Sequence, residues 1–345
     1  SAAAAPDELG AVGDEQGVGG GAAAGSASSG RGRTTTAAAG ATAGSSPGAA
    51  ARRATTGPIE IGFLNTKVGN AAAFGLNVGE TYTPRQVFEA LVKEMNARGG
   101  IAGRRIVPVV ADTDTASASW ESDYQAACAD LTQDHKVAAV VGYSFALLES
   151  FESCLAKAGV AHLSGGYAVG DDETFRRYPH FVATTNVSAN RRFVLQLDGP
   201  LKAGVLTKAS KLGLLLDDCA PQVRAYQRSM APFIKANGLT VVATATMSCA
   251  QGSGDVGGVA AQIQNAVLQF RSRGVDTVVT EGIPVVVFSQ QAESQGWRPT
   301  YLLTSTSGGA ALGSNVPAAQ AAVLAPAAGG VAEGDFGCSC HVSLL

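Results

Sequence analysis

The stretch TPRQVFEALVKEMNARGGIAGRRIVPVVA, residues 83–111, decides the fold class. Thr83 stands at a helix N-cap, Pro84 takes the first helical position and Gln86 the third, which makes a capping box. Val87, Leu91 and Met95 recur at i, i+4 and i+8 with Phe88 and Val92 beside them, so an amphipathic stripe is predicted. Gly99-Gly100 ends the helix and Arg105–Ala111 reads as an apolar strand.

The same alternation extends to both sides. Ile59–Leu64 reads as a strand before the helix. After it come a helix over Ser117–Thr132, a strand Val137–Val141, a helix Ala146–Ala158, and strands Val160–Leu163 and His180–Thr184. A helix near Asn190–Ala203 leads to a second series: strand Lys211–Leu216, helix Gln222–Asn237, strand Thr240–Thr246, helix Val256–Arg273, strand Thr277–Thr280, helix Pro284–Gln295 and strand Thr300–Ser305. Short apolar strands between helices imply parallel sheets covered on both faces. Two such series predict an α/β protein of two doubly wound parallel-sheet lobes, with a ligand cleft at the carboxyl ends of the strands. The expected division is a leader at 1–57, lobe 1 at 58–186, lobe 2 at 187–307, and a crossover and atypical low-complexity tail at 308–345.

Composition narrows the function classes. The chain has 345 residues, a formal net charge of −3 and 15% charged residues, against roughly 25% in an ordinary domain. That balance argues against a nucleic-acid binder, which clusters basic residues. Val137–Val141 with Phe145–Leu148 is the longest tempting apolar run, and Gly142–Ser144 interrupts it well short of the ~20 residues of a membrane helix. Residues 1–57 hold no aromatic residue, no Ile and one Leu, so the segment reads as a flexible tether. Its Gly17-Val18-Gly19-Gly20-Gly21-Ala22 matches a dinucleotide fingerprint in letters only, because no strand precedes it.

Asn96-Ala97-Arg98-Gly99-Gly100-Ile101-Ala102-Gly103-Arg104-Arg105-Ile106 resembles the helix–Gly-Gly–strand junction of type I periplasmic binding proteins, the leucine/isoleucine/valine-binding kind that serve ABC importers. Arg273-Gly274-Val275-Asp276-Thr277-Val278-Val279 and Ser294-Gln295-Gly296-Trp297-Arg298-Pro299 look like second-lobe junctions of the same family, and the likeness covers Pro58–Ser307. It implies a binding protein without chemistry of its own, with a small polar, amino-acid-like ligand and an importer permease as partners. It also implies a location outside the cytoplasm, with any membrane attachment made through a lipid anchor outside this sequence. No cofactor or metal is expected. Only residues 318–345 follow Pro317, fewer than the family uses to complete its first lobe, so the carboxyl end is expected to be atypical and unstructured.

Cys128 and Cys154 fall in one lobe, Cys219 and Cys249 in the other. Pairing within each lobe would close loops of similar size, each contributing about 3 kcal/mol in the loop-entropy model; four reduced thiols are the alternative. Cys338-Ser339-Cys340-His341 is too tight for a comfortable bridge and lacks zinc spacing. Gly142-Tyr143-Ser144-Phe145 ends a strand and is expected to open a helix, where free amides and the Ser144 hydroxyl would hold a carboxylate. The resemblance implies the same role for Ser144. The rival is a serine hydrolase, since Gly142-x-Ser144 approaches a nucleophile elbow. Ala146 fills the last motif position, however, and His162 and His180 sit in or beside apolar strands. In Ser164-Gly165-Gly166-Tyr167, Gly165 and Gly166 would let a ligand approach the backbone and Tyr167 would stack on it. In lobe 2, Asp217-Asp218 and Glu281-Gly282 end strands, and Asp218 or Glu281 would meet a ligand ammonium, as the family uses such an acid. N-capping or solvation is the plain alternative for each acid. A ligand-sensing receptor of the same fold remains a second alternative to the importer.

Overall fold

The computed structural model describes residues 57–68, 82–144, 146–165, 170–304, 307 and 315–323. The leader, the Gly17–Ala22 match, Gly166, Tyr167 and the Cys338–His341 cluster lie outside the described residues.

Among the described residues, nine strands form two sheets, each wholly parallel. In the first, β1 (Ile59–Lys67), β2 (Ile106–Asp114), β3 (Ala139–Tyr143), β4 (Ala161–Gly165) and β5 (Phe181–Ala183) stand in the order β2-β1-β3-β4-β5. In the second, β6 (Lys211–Asp217), β7 (Thr240–Met247), β8 (Thr277–Val279) and β9 (Thr300–Leu302) stand in the order β7-β6-β8-β9. Helices α1 (Pro84–Ala97), α2 (Trp120–Ala129), α3 (Glu149–Ala158) and α4 (Asp172–Arg177) belong to the first series. Helices α5 (Ala189–Lys202), α6 (Ala220–Ala225), α7 (Ala231–Asn237), α8 (Val256–Ser272) and α9 (Pro284–Ser294) belong to the second. This is the two-lobed, doubly wound α/β architecture that the alternation implied.

Each sheet buries both faces. Ile61, Phe63, Phe88 and Ile106 pack on one side of the first sheet; Leu64, Val140, Tyr124 and Phe151 pack on the other. Val278, Phe270, Phe288 and Tyr301 fill one side of the second sheet, and Leu212, Leu214, Phe193 and Met230 the other.

The 83–111 stretch folds for the expected reasons. Thr83 accepts from the Gln86 amide while the Gln86 side chain accepts from the Thr83 amide. At the far end, Asn96 clamps the turn: its Nδ2 donates to the Ile106 carbonyl (2.9 Å) and its Oδ1 accepts from the Ile106 amide (2.7 Å). Gly100 has φ 73°, and a Cβ there would collide with the Arg104 carbonyl, so this turn requires glycine.

Five sequence readings need correction. The Val87, Leu91, Met95 stripe is exposed; α1 instead buries Phe88 and Val92, with Phe88 stacked 4.4 Å from Phe63 of β1. Helix α3 begins at Glu149 rather than Ala146, because Leu148 is extended and sinks into the core. The helices expected over 117–132 and 222–237 each contain a wider π turn, at Asp130–Asp134 and Tyr226–Met230. Helix α4 was not anticipated; its N-cap Asp171 accepts from the Thr174 amide (3.0 Å), and Asp172 and Glu173 open a helix that Arg176 and Arg177 close. Finally, residues 318–323 are helical and pack on the second sheet. There the Tyr301 hydroxyl donates to Gln320 Oε1 (2.8 Å), and Gln320 Nε2 donates to the Trp297 carbonyl (2.8 Å).

Candidate functional site

A cavity of about 250 Å³ lies between the two lobes. Trp120, Leu147 and Leu148 line it from the first lobe. From the second come the carboxyl ends of β6 and β8, bearing Asp217 and Glu281, and an apolar wall that includes Val256, Val259, Ile263 and Val287. Most of the lining is aliphatic.

Two sets of cross-lobe contacts flank the cavity. On one side the Trp120 amide donates to the Gln251 carbonyl (2.9 Å) and the Ser253 amide donates to the Ser117 carbonyl (2.8 Å). On the other, Arg224 of α6 reaches Asp171 (2.8 Å) and Glu149 (2.9 Å) of the first lobe, and Arg228 reaches Glu173 (2.8 Å). Burial pushes the Asp171 carboxyl up, but hydrogen bonds from Arg224 and Thr174 outweigh it and hold the group at about 2. The lobes are therefore closed on one another.

The expected disulfides are present. Cys128 bonds to Cys154 across α2 and α3, and Cys219 to Cys249 beyond the ends of β6 and β7. The second bridge forms part of the cavity wall.

The expected ligand residues are scattered. Ser144 is 2% exposed and off the cavity; with α3 starting five residues later, no helix N-terminus stands at its hydroxyl. Its Oγ lies 3.5 Å from His162 Nε2, and His162 Nδ1 lies 2.8 Å from Glu152 Oε1. This serine–histidine–glutamate line has the order of a catalytic triad, but all three members are buried and none lines the cavity. Tyr143 ends β3 in register with Gly165 of β4. Gly142, just before it, has φ 147°, and a Cβ there would lie 2.5 Å from the Leu64 carbonyl oxygen of β1.

In the second lobe, Asp218 is off the cavity and accepts from the Cys249 amide and so shapes the disulfide loop. Gly282 and Glu281 do line the cavity. Glu281, however, is already engaged: its two oxygens accept from Nε (2.6 Å) and Nη2 (2.7 Å) of Arg192 on α5. Asp217 stands beside this pair. Burial above all, then the charges of Glu281 and Asp218, push its carboxyl up to about 7.

Sequence reasoning missed Arg192 and Glu152. Both lie on helices among other charged residues, and nothing in their spacing separates an inward from an outward charge. Among the described residues no helix is long and apolar enough to cross a membrane, and no cluster of potential metal ligands occurs.

Comparison with solved structures finds the same architecture. A fatty acid ABC transporter substrate-binding protein from Thermomonospora curvata superposes with a TM-score of 0.54 at 16% identity, covering 78% of this chain and 62% of its own. A possible leucine/isoleucine/valine-binding protein from Rhodopirellula baltica gives 0.54 at 15%, covering 76% and 66%. A solute-binding protein of an ABC transporter from Rhodopseudomonas palustris, in complex with 3,4-dihydroxybenzoic acid, gives 0.51 at 16%, covering 71% and 61%. The chain thus spans less than two thirds of each of these structures. No curated protein matches it. The sequence model described as "Periplasmic binding protein" matches residues 58–331, and with two parallel-sheet lobes closed around one cavity the chain belongs to the periplasmic binding protein family, with the type I fold.

Proposed function

We propose that this protein captures a small amphipathic solute between its lobes and delivers it to an ABC importer outside the cytoplasm. The observation that carries this reading is the cavity itself. It stands at the carboxyl ends of β6 and β8, draws walls from both lobes, and is closed by cross-lobe hydrogen bonds and ion pairs. A mainly apolar pocket with a few polar groups at one end is how small-molecule sites are built. By their descriptions, two of the neighbours named above take a fatty acid or an aromatic acid and the third is a possible leucine/isoleucine/valine-binding protein, solutes whose apolar parts suit an apolar-walled pocket. Two disulfides suit an oxidising compartment. A lipid anchor is a finer version of the same proposal; amino-acid transport is its rival version, which needs a free ammonium partner in the cavity.

Native mass spectrometry of the purified protein tests the capture. A bound solute of defined mass is expected, released on mild unfolding. Trp120 lines the cavity while Trp297 packs in the second-lobe core. Re-adding that solute should change tryptophan fluorescence in the parent protein and leave it unchanged in Trp120→Phe. A protein that carries no solute and responds to none would refute the reading.

A further inference from the structure

The polar end of the cavity is built around a cation with one donor group left over. Arg192 lines the cavity and is 4% exposed. Its Nε and Nη2 are both committed to Glu281, whereas its Nη1 is buried with no hydrogen-bond partner among the described residues. Buried guanidinium donors are nearly always satisfied, and the partner they want is an acceptor, best a carboxylate oxygen.

We propose that Arg192 is a carboxylate anchor on the second lobe, held in place by Glu281, so that the cavity takes a solute with an apolar body and a single carboxylate head. The proposal rests on the solute-capture reading and deepens it. The body would lie against Val256, Val259, Ile263 and Val287, and the head would accept from Arg192 Nη1.

The surrounding charges favour an anion over a cation. Arg192 and Glu281 cancel, and both oxygens of Glu281 are already in use. An ammonium would have to sit beside a guanidinium and find its partner in Asp217 alone. Asp217, facing Arg192, Glu281 and Asp218, holds its proton up to about pH 7 because it is buried among like charges. A protonated Asp217 is a second donor for the same carboxylate. Glu281 is thus a positioning residue for the guanidinium, where the sequence reading made it the ammonium partner.

Calorimetry with benzoate, benzamide and benzylamine on dialysed protein at pH 6.5 tests this. Benzoate should bind at least 10-fold tighter than either analogue. Arg192→Lys keeps a cation for Glu281 but loses the second amino group, and should weaken benzoate at least 10-fold while leaving benzamide unchanged. Glu281→Gln loses the charge that holds the guanidinium in place and keeps Asp217 protonated, and should weaken benzoate several-fold while leaving benzamide unchanged, a split that a loss of fold would not give. Benzylamine binding more tightly than benzoate, an unchanged benzoate affinity in Arg192→Lys, or equal losses for benzoate and benzamide in Glu281→Gln would each overturn the proposal and leave solute capture standing. Failure of all three probes to bind overturns the carboxylate assignment; if native mass spectrometry also finds no solute, capture falls with it.

Discussion

Asp217 offers a direct measure of the electrostatics at the polar end of the cavity. Its carboxyl is held at about 7 by burial and by the neighbouring Glu281 and Asp218, against an ordinary value of 3.8. In the unfolded chain the group is ionised throughout the range pH 5–8, whereas in the folded protein it keeps its proton until about pH 7. The folded state therefore binds more protons across that range, and stability falls as pH rises. One pH unit over which a single proton differs is worth about 1.4 kcal/mol. Levelling off above pH 7 brings the total between pH 5 and 8 to roughly 2.5 kcal/mol, an upper value because solvent entering the cavity would relax the penalty. Asp217→Asn keeps the shape and abolishes the titration. In solute-free protein, the melting temperatures of parent and variant should run together near pH 5. By pH 8 the variant should lead by about 5 °C, at roughly 2 °C per kcal/mol for a chain of this size. The criterion is the pH dependence of the difference, since Asn has its own contacts. Parallel curves from pH 5 to 8 would show that Asp217 ionises freely in the folded protein, and the reasoning would fail.

Three further outcomes follow from the geometry. Arg224→Met strands the buried Asp171 across the lobe interface and should cost about 3 kcal/mol in urea unfolding, with much of that recovered in the double variant with Asp171→Asn; additive losses would show that the two are not coupled. Non-reducing peptide mapping should recover Cys128–Cys154 and Cys219–Cys249 as linked pairs, and Cys219→Ser/Cys249→Ser should lose about 3 kcal/mol of stability; free thiols in parent protein folded under oxidising conditions would contradict the structure. Gly142→Ala should destabilise by at least 2 kcal/mol, because φ is 147° and the new Cβ meets the Leu64 backbone, and a change below 0.5 kcal/mol would mean the β3 end yields easily.

The layout of the fold was legible because it depends on local rules. The Thr83–Gln86 capping box, the Gly100 turn and the short apolar strands each need only their neighbours in sequence. What was misread depends on distant partners. Val87, Leu91 and Met95 form as regular a stripe as any, yet the sheet turns to meet Phe88 and Val92, since Phe63 offers a ring to stack on. Residues 318–323 looked like low-complexity tail because they open an Ala/Gly-rich end; Ala321 and Val323 pack on the second-sheet core, and Tyr301, Glu293 and Trp297 satisfy the buried Gln320. Helix α4 was the avoidable miss. Its Asp171 cap and its acids-first, bases-last order were in the sequence.

The site shows where such reading ends. Strand-end position brought Glu281, Gly282 and Asp217 to one cavity and left Asp218 off it. It did not say which charges were free. An acid at a strand end reads as an ammonium partner only while its counter-charge is unknown, and here the counter-charge arrives from α5, 89 residues away in sequence. Once Arg192 takes both oxygens of Glu281, neither oxygen is left free for an ammonium. Ser144 undergoes the matching reversal: His162 and Glu152 draw its hydroxyl into the interior of the first lobe. On the proposal that Arg192 anchors a carboxylate, recognition in the second lobe would pass from a strand-end acid to a helix residue behind it, and would depend on how α5 is seated against the second sheet. Gln196, one turn beyond Arg192, sets that seating by donating to the Thr280 and Leu302 carbonyls at 2.8 and 2.7 Å.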